Sequence, residues 1–209
     1  MQKELDACSK KLEKMLSLLP EIRLAASENY KDLLNRYLYD LEFMSENFTL
    51  FTRSLPSLLE VKDSAKLSDT AIEKAWNIDI KYTDEGWFFV KIPALLPKKK
   101  GGAEVIKRPL QIAMNQFFIK QTQRKVYKTA VICFKNVYPS DYPQKCFYDN
   151  DNIETQSVIN IISDYVLPDD SPEVLNHYFC SAVGSQSATE IYVVPREDFF
   201  SWIESNSSA

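Results

Sequence analysis

Trp87-Phe88-Phe89-Val90-Lys91-Ile92, closed by Pro93, is the stretch at which the chain changes character. Aromatic and β-branched residues dominate it, and Pro93 cannot donate a further ladder hydrogen bond. It therefore reads as a strand with a defined end. Downstream, Val126 to Val137 has the same composition and reads as a second long strand, with breaks at Tyr138-Pro139 and Tyr142-Pro143. Residues 152–166 place Val158, Ile161, Ile162 and Tyr165 on one face, the spacing of a helix. Val174 to Val183 and Thr189 to Val194 read as two strands around Gly184-Ser185, and Phe199, Phe200 and Trp202 belong to a short terminal segment. Strands and helices in this order define an α+β class.

Upstream of Trp87 the period is helical. Leu5, Cys8, Leu12, Met15 and Leu19 recur at spacings of three and four until Pro20 interrupts. Tyr30, Leu34, Tyr37, Leu41, Met44, Phe48, Phe51 and Leu55 then form a heptad stripe that Pro56 is expected to end. Such a stripe must be covered. Its candidate partners are the first helix as a hairpin, a second copy as a coiled coil, or the downstream domain. Ser68 is positioned to cap a short helix from Asp69 to Trp76. The expected organisation is a helical arm over residues 1–75 that is a candidate for homodimerisation, an α+β domain over 76–204, and a frayed tail over 205–209.

The chain has 209 residues, of which 45% are hydrophobic, enough for a real core. No apolar run reaches the roughly 18–20 residues that span a bilayer, and the charged opening carries no signal-peptide core. The four cysteines, Cys8, Cys133, Cys146 and Cys180, form no C-x-x-C pair. The expectation is reduced thiols in a cytoplasmic protein. The net charge of −4 hides a strong polarity. Residues 91–135 hold eleven lysines and arginines against the single acid Glu104, whereas residues 141–209 hold twelve acids against Lys145 and Arg196. A basic segment beside an acidic one is what a metal-dependent nuclease needs, because phosphates must be attracted while carboxylates hold a cation.

The acids are grouped. Asp149-Asn150-Asp151-Asn152 precedes the helix over 152–166, and Asp169-Asp170 follows it. Asp149 and Asp151 share a face if extended. If Asp170 joins them, three carboxylates converge and require a hard divalent cation, Mg²⁺ or Mn²⁺, that can activate water for phosphodiester hydrolysis. Two plainer readings compete. Asp151 and Glu154 have the spacing of a capping box, and Asp169-Asp170-Ser171-Pro172 is an ordinary turn sequence. His177, the only histidine, reads as a structural residue, and Phe117, Phe118, Tyr127 and Phe134 read as core rather than as base-stacking platforms.

Asp149-x-Asp151-Asn152, a helix, Asp169-Asp170 and an extended return to Thr189-Glu190-Ile191-Tyr192-Val193 together resemble the RusA family of Holliday-junction resolvases. Phe88 to Pro93 resembles that family's first strand, and the basic loop over 98–108 its basic region, so the likeness covers roughly residues 86–195. The resemblance implies a mixed sheet with packed helices, homodimers, magnesium and cleavage of branched DNA. It makes Asp149, Asp151 and Asp170 catalytic metal ligands, Asn152 and Asp169 supporting residues, and Lys98, Lys99, Lys100, Lys107 and Arg108 DNA-binding residues. Thr155 stands where the family carries a lysine, and the helical arm is foreign to the family core. An alternative function is therefore a non-catalytic DNA-binding or assembly protein on a RusA-like scaffold, interacting through the arm.

Overall fold

The computed structural model describes residues 2–97, 99–122, 124–143 and 152–206, with backbone alone for 99–104. The chain divides into two units, Met1–Ala71 and Ile72–Ala209.

The first unit is helical. α1 (Gln2–Leu16), α2 (Leu18–Ser27) and α3 (Lys31–Leu58) make a hairpin that turns at Asn29, a residue with φ 56°. Pro20 sits in the first turn of α2, where its missing N–H has no partner to lose. Pro56 lies inside the last turn of α3, so the helix runs on to Leu58 instead of ending at the proline. The heptad stripe of α3 faces α1 and α2, and Lys11 Nζ stands 5.3 Å from the centre of the Phe51 ring. Every described residue of the stripe nevertheless keeps some exposure, and Ala25 is the only described residue of these three helices that is buried.

A further helix, α4 (Ser64–Trp76), leads into the second unit. It starts before the expected cap, so Ser68 is a buried residue within the helix. The sheet of the second unit is built from β1 (Asp79–Tyr82), β2 (Phe88–Ile92), β3 (Ala130–Pro139), β4 (Leu175–Gly184) and β5 (Ala188–Pro195). Their spatial order is β1-β2-β5-β3-β4. All pairs are antiparallel except β3 with β4, which makes the sheet mixed. Although β4 and β5 follow one another in sequence, they do not form a hairpin, because β3 lies between them. Their three-residue connection crosses the end of β3. There an added Cβ on Gly184 would come within 2.6 Å of Val137 Cγ1, so the crossing needs a glycine.

α5 (Lys99–Ile119) joins β2 to β3, and α6 (Gln156–Val166) joins β3 to β4. The expected basic loop is therefore helical from Lys99 onward, because the apolar residues Ile106, Leu110 and Met114 recur at helical spacing and are fully buried. Ile106, Leu110 and Met114 of α5 and Val158, Ile159 and Ile162 of α6 pack on Phe88, Val90, Ile92, Ile132, Phe134, Ile191 and Val193. Period-two alternation sends the intervening strand residues to the other face. There α7 (Phe199–Asn206) lays Trp202 over Val131, Cys133, Tyr178, Tyr192 and Val194. The helix runs through Asn206, so the expected frayed tail is ordered at residues 205 and 206, where Asn206 Nδ2 donates to Trp202 O at 3.0 Å. Among the described residues no helix is long and apolar enough to cross a membrane.

Candidate functional site

The β3–α6–β4 crossover places Asn152 at one end of the sheet and Asp169-Asp170 at the other. At one end of the sheet, Leu96 N–H donates to Thr189 Oγ1 at 3.2 Å, and Glu154 N–H donates to Pro97 O at 2.9 Å. Thr189 is the partner of Asn136, near the end of β3. Asn152, exposed and just upstream of Glu154, belongs to this end. At the other end, Tyr127 N–H donates to Val166 O at 2.9 Å and Ala130 N–H to Val174 O at 2.8 Å. The segment carrying Asp169 and Asp170 is pinned there, at the start of β3.

From Ala130 to Asn136 the strand advances about 20 Å, and the 11 residues of α6 span about 16 Å. One chain therefore does not bring Asp170 to Asn152. Asp149 and Asp151 lie outside the described residues, as do Lys98, Lys145 and Cys146. Among the described residues no three His, Cys, Asp or Glu side chains gather as a metal would require. The Asp149, Asp151 and Asp170 grouping therefore lies partly outside the described residues.

What surrounds each group is ordinary chemistry. Asp169 Oδ1 accepts from the Asp170 N–H at 2.8 Å, and both residues are exposed. His177, exposed on the edge strand β4, has its pKa lowered by the packing around it, while the Asp170 carboxylate pulls the other way. The expected capping box takes a different form. The helix begins at Gln156, and the buried Glu154 reaches forward to accept from Ser157 N–H at 3.0 Å and Ser157 Oγ at 2.8 Å. Thr155, at the position where a lysine was expected, is the backbone N-cap and makes no side-chain cap bond.

The basic residues separate by role. Lys107 and Arg108 are exposed on α5, and Lys99 and Lys100 lie in its first turn. Arg124 stacks over Phe118 and Tyr165, 5.3 and 5.1 Å from the ring centres. Lys125 donates to Gly86 O at 2.6 Å. Tyr127 and Phe134 are buried in the core, as their reading required.

Sequence reasoning missed one row of charges. Lys91 of β2, Glu190 of β5, Lys135 of β3 and Cys180 of β4 are successive cross-strand partners on the sheet face that α7 partly covers. Lys91 Nζ lies 3.5 Å and Lys135 Nζ 4.0 Å from the Glu190 carboxylate, and Lys135 also donates to Asn206 Oδ1 at 3.2 Å. The available signal was a single charged residue on the same parity in each of three otherwise uncharged strands. Cys8, Cys133 and Cys180 are free thiols, and burial pushes the Cys133 and Cys180 thiols up, away from nucleophilic use.

A family of unknown function, DUF6100, matches the chain over residues 1–209, and the chain belongs to that family. No curated protein and no solved structure matches it.

Proposed function

We propose that this member of DUF6100 is a metal-dependent endonuclease of RusA type that acts on branched DNA as a homodimer. The observation that carries the reading is the order and spacing of Asp149-x-Asp151-Asn152, a helix and Asp169-Asp170, with that helix acting as a parallel crossover between β3 and β4. Mg²⁺ is commonly held by one or two carboxylates, with water and substrate phosphates filling the other positions. Asp149 and Asp151, supported by Asn152, supply such a pair. α6 stands between Asn152 and Asp169-Asp170, which supports a site shared between two copies, with Asp170 contributed by the second. Lys99, Lys100, Lys107 and Arg108, with Lys98 before them, attract the phosphates.

The test is cleavage of a labelled four-way junction in Mg²⁺ or Mn²⁺, with EDTA and linear duplex as controls. Junction cutting that depends on metal and is lost in both Asp151→Asn and Asp170→Asn is expected. Mixing the two inactive variants should restore part of the activity, because one of the two shared sites in a mixed dimer is intact. Absence of cutting by the parent protein in either metal would refute the nuclease reading. Cutting without rescue would refute the shared site.

A second reading is favoured by the arm. Tyr39, Phe43 and Leu50 are 65%, 60% and 50% exposed along one side of α3. A non-catalytic assembly protein on a RusA-like scaffold would use that surface. It predicts junction binding or self-association with no cutting.

A further inference from the structure

The row of charges on the sheet face that carries α7 borders a cleft of about 310 Å³. Its floor follows from the register. One step along the strands from Glu190, Lys135 and Cys180, the residues on the same face are the shorter Ala188, Val137 and Ala182. Small side chains beside long ones leave a hollow. Ser185, Gln186 and Ser187, which cross the end of β3, line its other side. Val137 against Gly184 holds that crossing close to the sheet.

The charge of the cleft is unbalanced. Two ammonium groups face one carboxylate, which leaves one positive charge uncompensated within the row. Lys135 is confined, with only 13% of its side chain exposed, and Glu190 has 18%. An ammonium has three donors to satisfy, and Lys135 gives one of its donors to Asn206 Oδ1 at 3.2 Å, which leaves two. The Glu190 contact with Lys135, at 4.0 Å, is an ion pair too long for a hydrogen bond. Lys91, 47% exposed, opens onto the same hollow from the opposite side of Glu190. An anion with several acceptor oxygens would satisfy both ammoniums and meet hydroxyl and amide donors from the crossing loop.

We propose that this cleft binds a phosphate group, held between Lys91 and Lys135 and contacted by Ser185, Gln186 and Ser187. A tetrahedral anion offers oxygens in several directions, which suits two ammoniums and a loop on different sides of the cleft. Glu190 spaces the two lysines and repels the ligand, so it sets a modest affinity. The inference goes beyond the nuclease reading and does not depend on any acid of the Asp149–Asp170 set. It places a phosphate contact at the same sheet end as Asn152, on the face away from α6.

The experiment uses the full chain in an amide chemical-shift titration with sodium phosphate, at constant ionic strength made up with chloride. Saturable shifts at residues 185–187 and at Lys91 are expected. Lys91→Gln, at an exposed position that leaves the fold intact, should weaken binding about tenfold, the scale of one charge-assisted hydrogen bond. Glu190→Gln should strengthen it, because the repelling carboxylate is gone. A second arm measures anisotropy of a labelled single-stranded oligonucleotide with inorganic phosphate as competitor. Competition together with weakening in Lys91→Gln assigns the phosphate to a nucleic-acid backbone. Phosphate binding that the oligonucleotide ignores assigns it to a small phosphate compound. No saturable shift at the loop, or equal affinity in the parent, Lys91→Gln and Glu190→Gln, would overturn the site and leave the row as a structural ion-pair ladder.

Discussion

The Asp170 carboxylate acts electrostatically on His177 near the start of β4, so the His177 titration reports on where Asp170 lies. Packing around His177 disfavours the imidazolium, so its folded pKa falls below the ordinary value of 6.5, with the Asp170 carboxylate opposing the shift. A lowered folded pKa means that the unfolded chain takes up the proton first as pH falls. Stability conferred by this residue is thus present above 6.5 and is lost as pH drops from 6.5 through the folded value. The chain has a single histidine, so one imidazole resonance followed by NMR reads it without ambiguity. Asp170→Asn removes the opposing charge and should move the midpoint further down. An unchanged midpoint would mean that Asp170 does not stand beside His177 and would reopen its placement at the Asn152 end. Glu154 teaches a related lesson. Its spacing to Asp151 suggests a helix start at residue 152, whereas α6 begins at Gln156. Whether the carboxylate reaches back or forward depends on where the first turn closes, and the buried Ser157 hydroxyl decides that.

At the scale of elements, the strands and α6 were legible because their apolar residues alternate or recur on a face. Phe88, Val90 and Ile92 are fully buried on one side of β2, and Val158 and Ile162 on one side of α6. The basic stretch was misread because Lys98-Lys99-Lys100-Gly101-Gly102 is locally loop-like, while the burial that keeps it helical comes from Ile106 onward. The strand order was not legible either. Nothing local in Gly184 to Ala188 says that β3 will slide between β4 and β5. What makes it sterically allowed is the missing side chain at Gly184. Gly184→Ala should destabilise the protein by about 1–3 kcal/mol, the usual cost of overpacking. Chemical denaturation of a double-mutant cycle checks the cause. Val137→Ala removes the atom 2.6 Å from the added Cβ, so the pair should cost less than the sum of the single changes. Additive losses would show that backbone conformation, not this contact, fixes the glycine.

At the scale of the whole molecule, the chain joins a well-packed sheet unit to a helical unit with almost no interior. Residues 72–209 bury large side chains such as Trp202, Tyr138, Phe88 and Phe134 at 1% exposure or less. The helical hairpin buries Ala25 at that level and leaves α3 apolar on two sides. The inner stripe that the heptad revealed meets α1 and α2. Tyr39, Phe43 and Leu50, at spacings of four and seven, form a second stripe that the sequence reading passed over because the first one already explained the helix. Two helices alone cannot shelter two stripes, and an exposed apolar row of this length is a candidate association surface. The full chain should therefore sediment as a concentration-dependent oligomer at micromolar protein. Tyr39→Ser with Phe43→Ser should shift it toward monomer. Because both side chains are already more than half exposed, thermal unfolding of the monomer should change little, by roughly 0.5 kcal/mol or less per site. A parent protein that stays monomeric across that range would remove the arm as the self-association surface. The proposed shared site would then need a dimer contact on the sheet unit itself, where β4 is the long edge of the described sheet, next to β3.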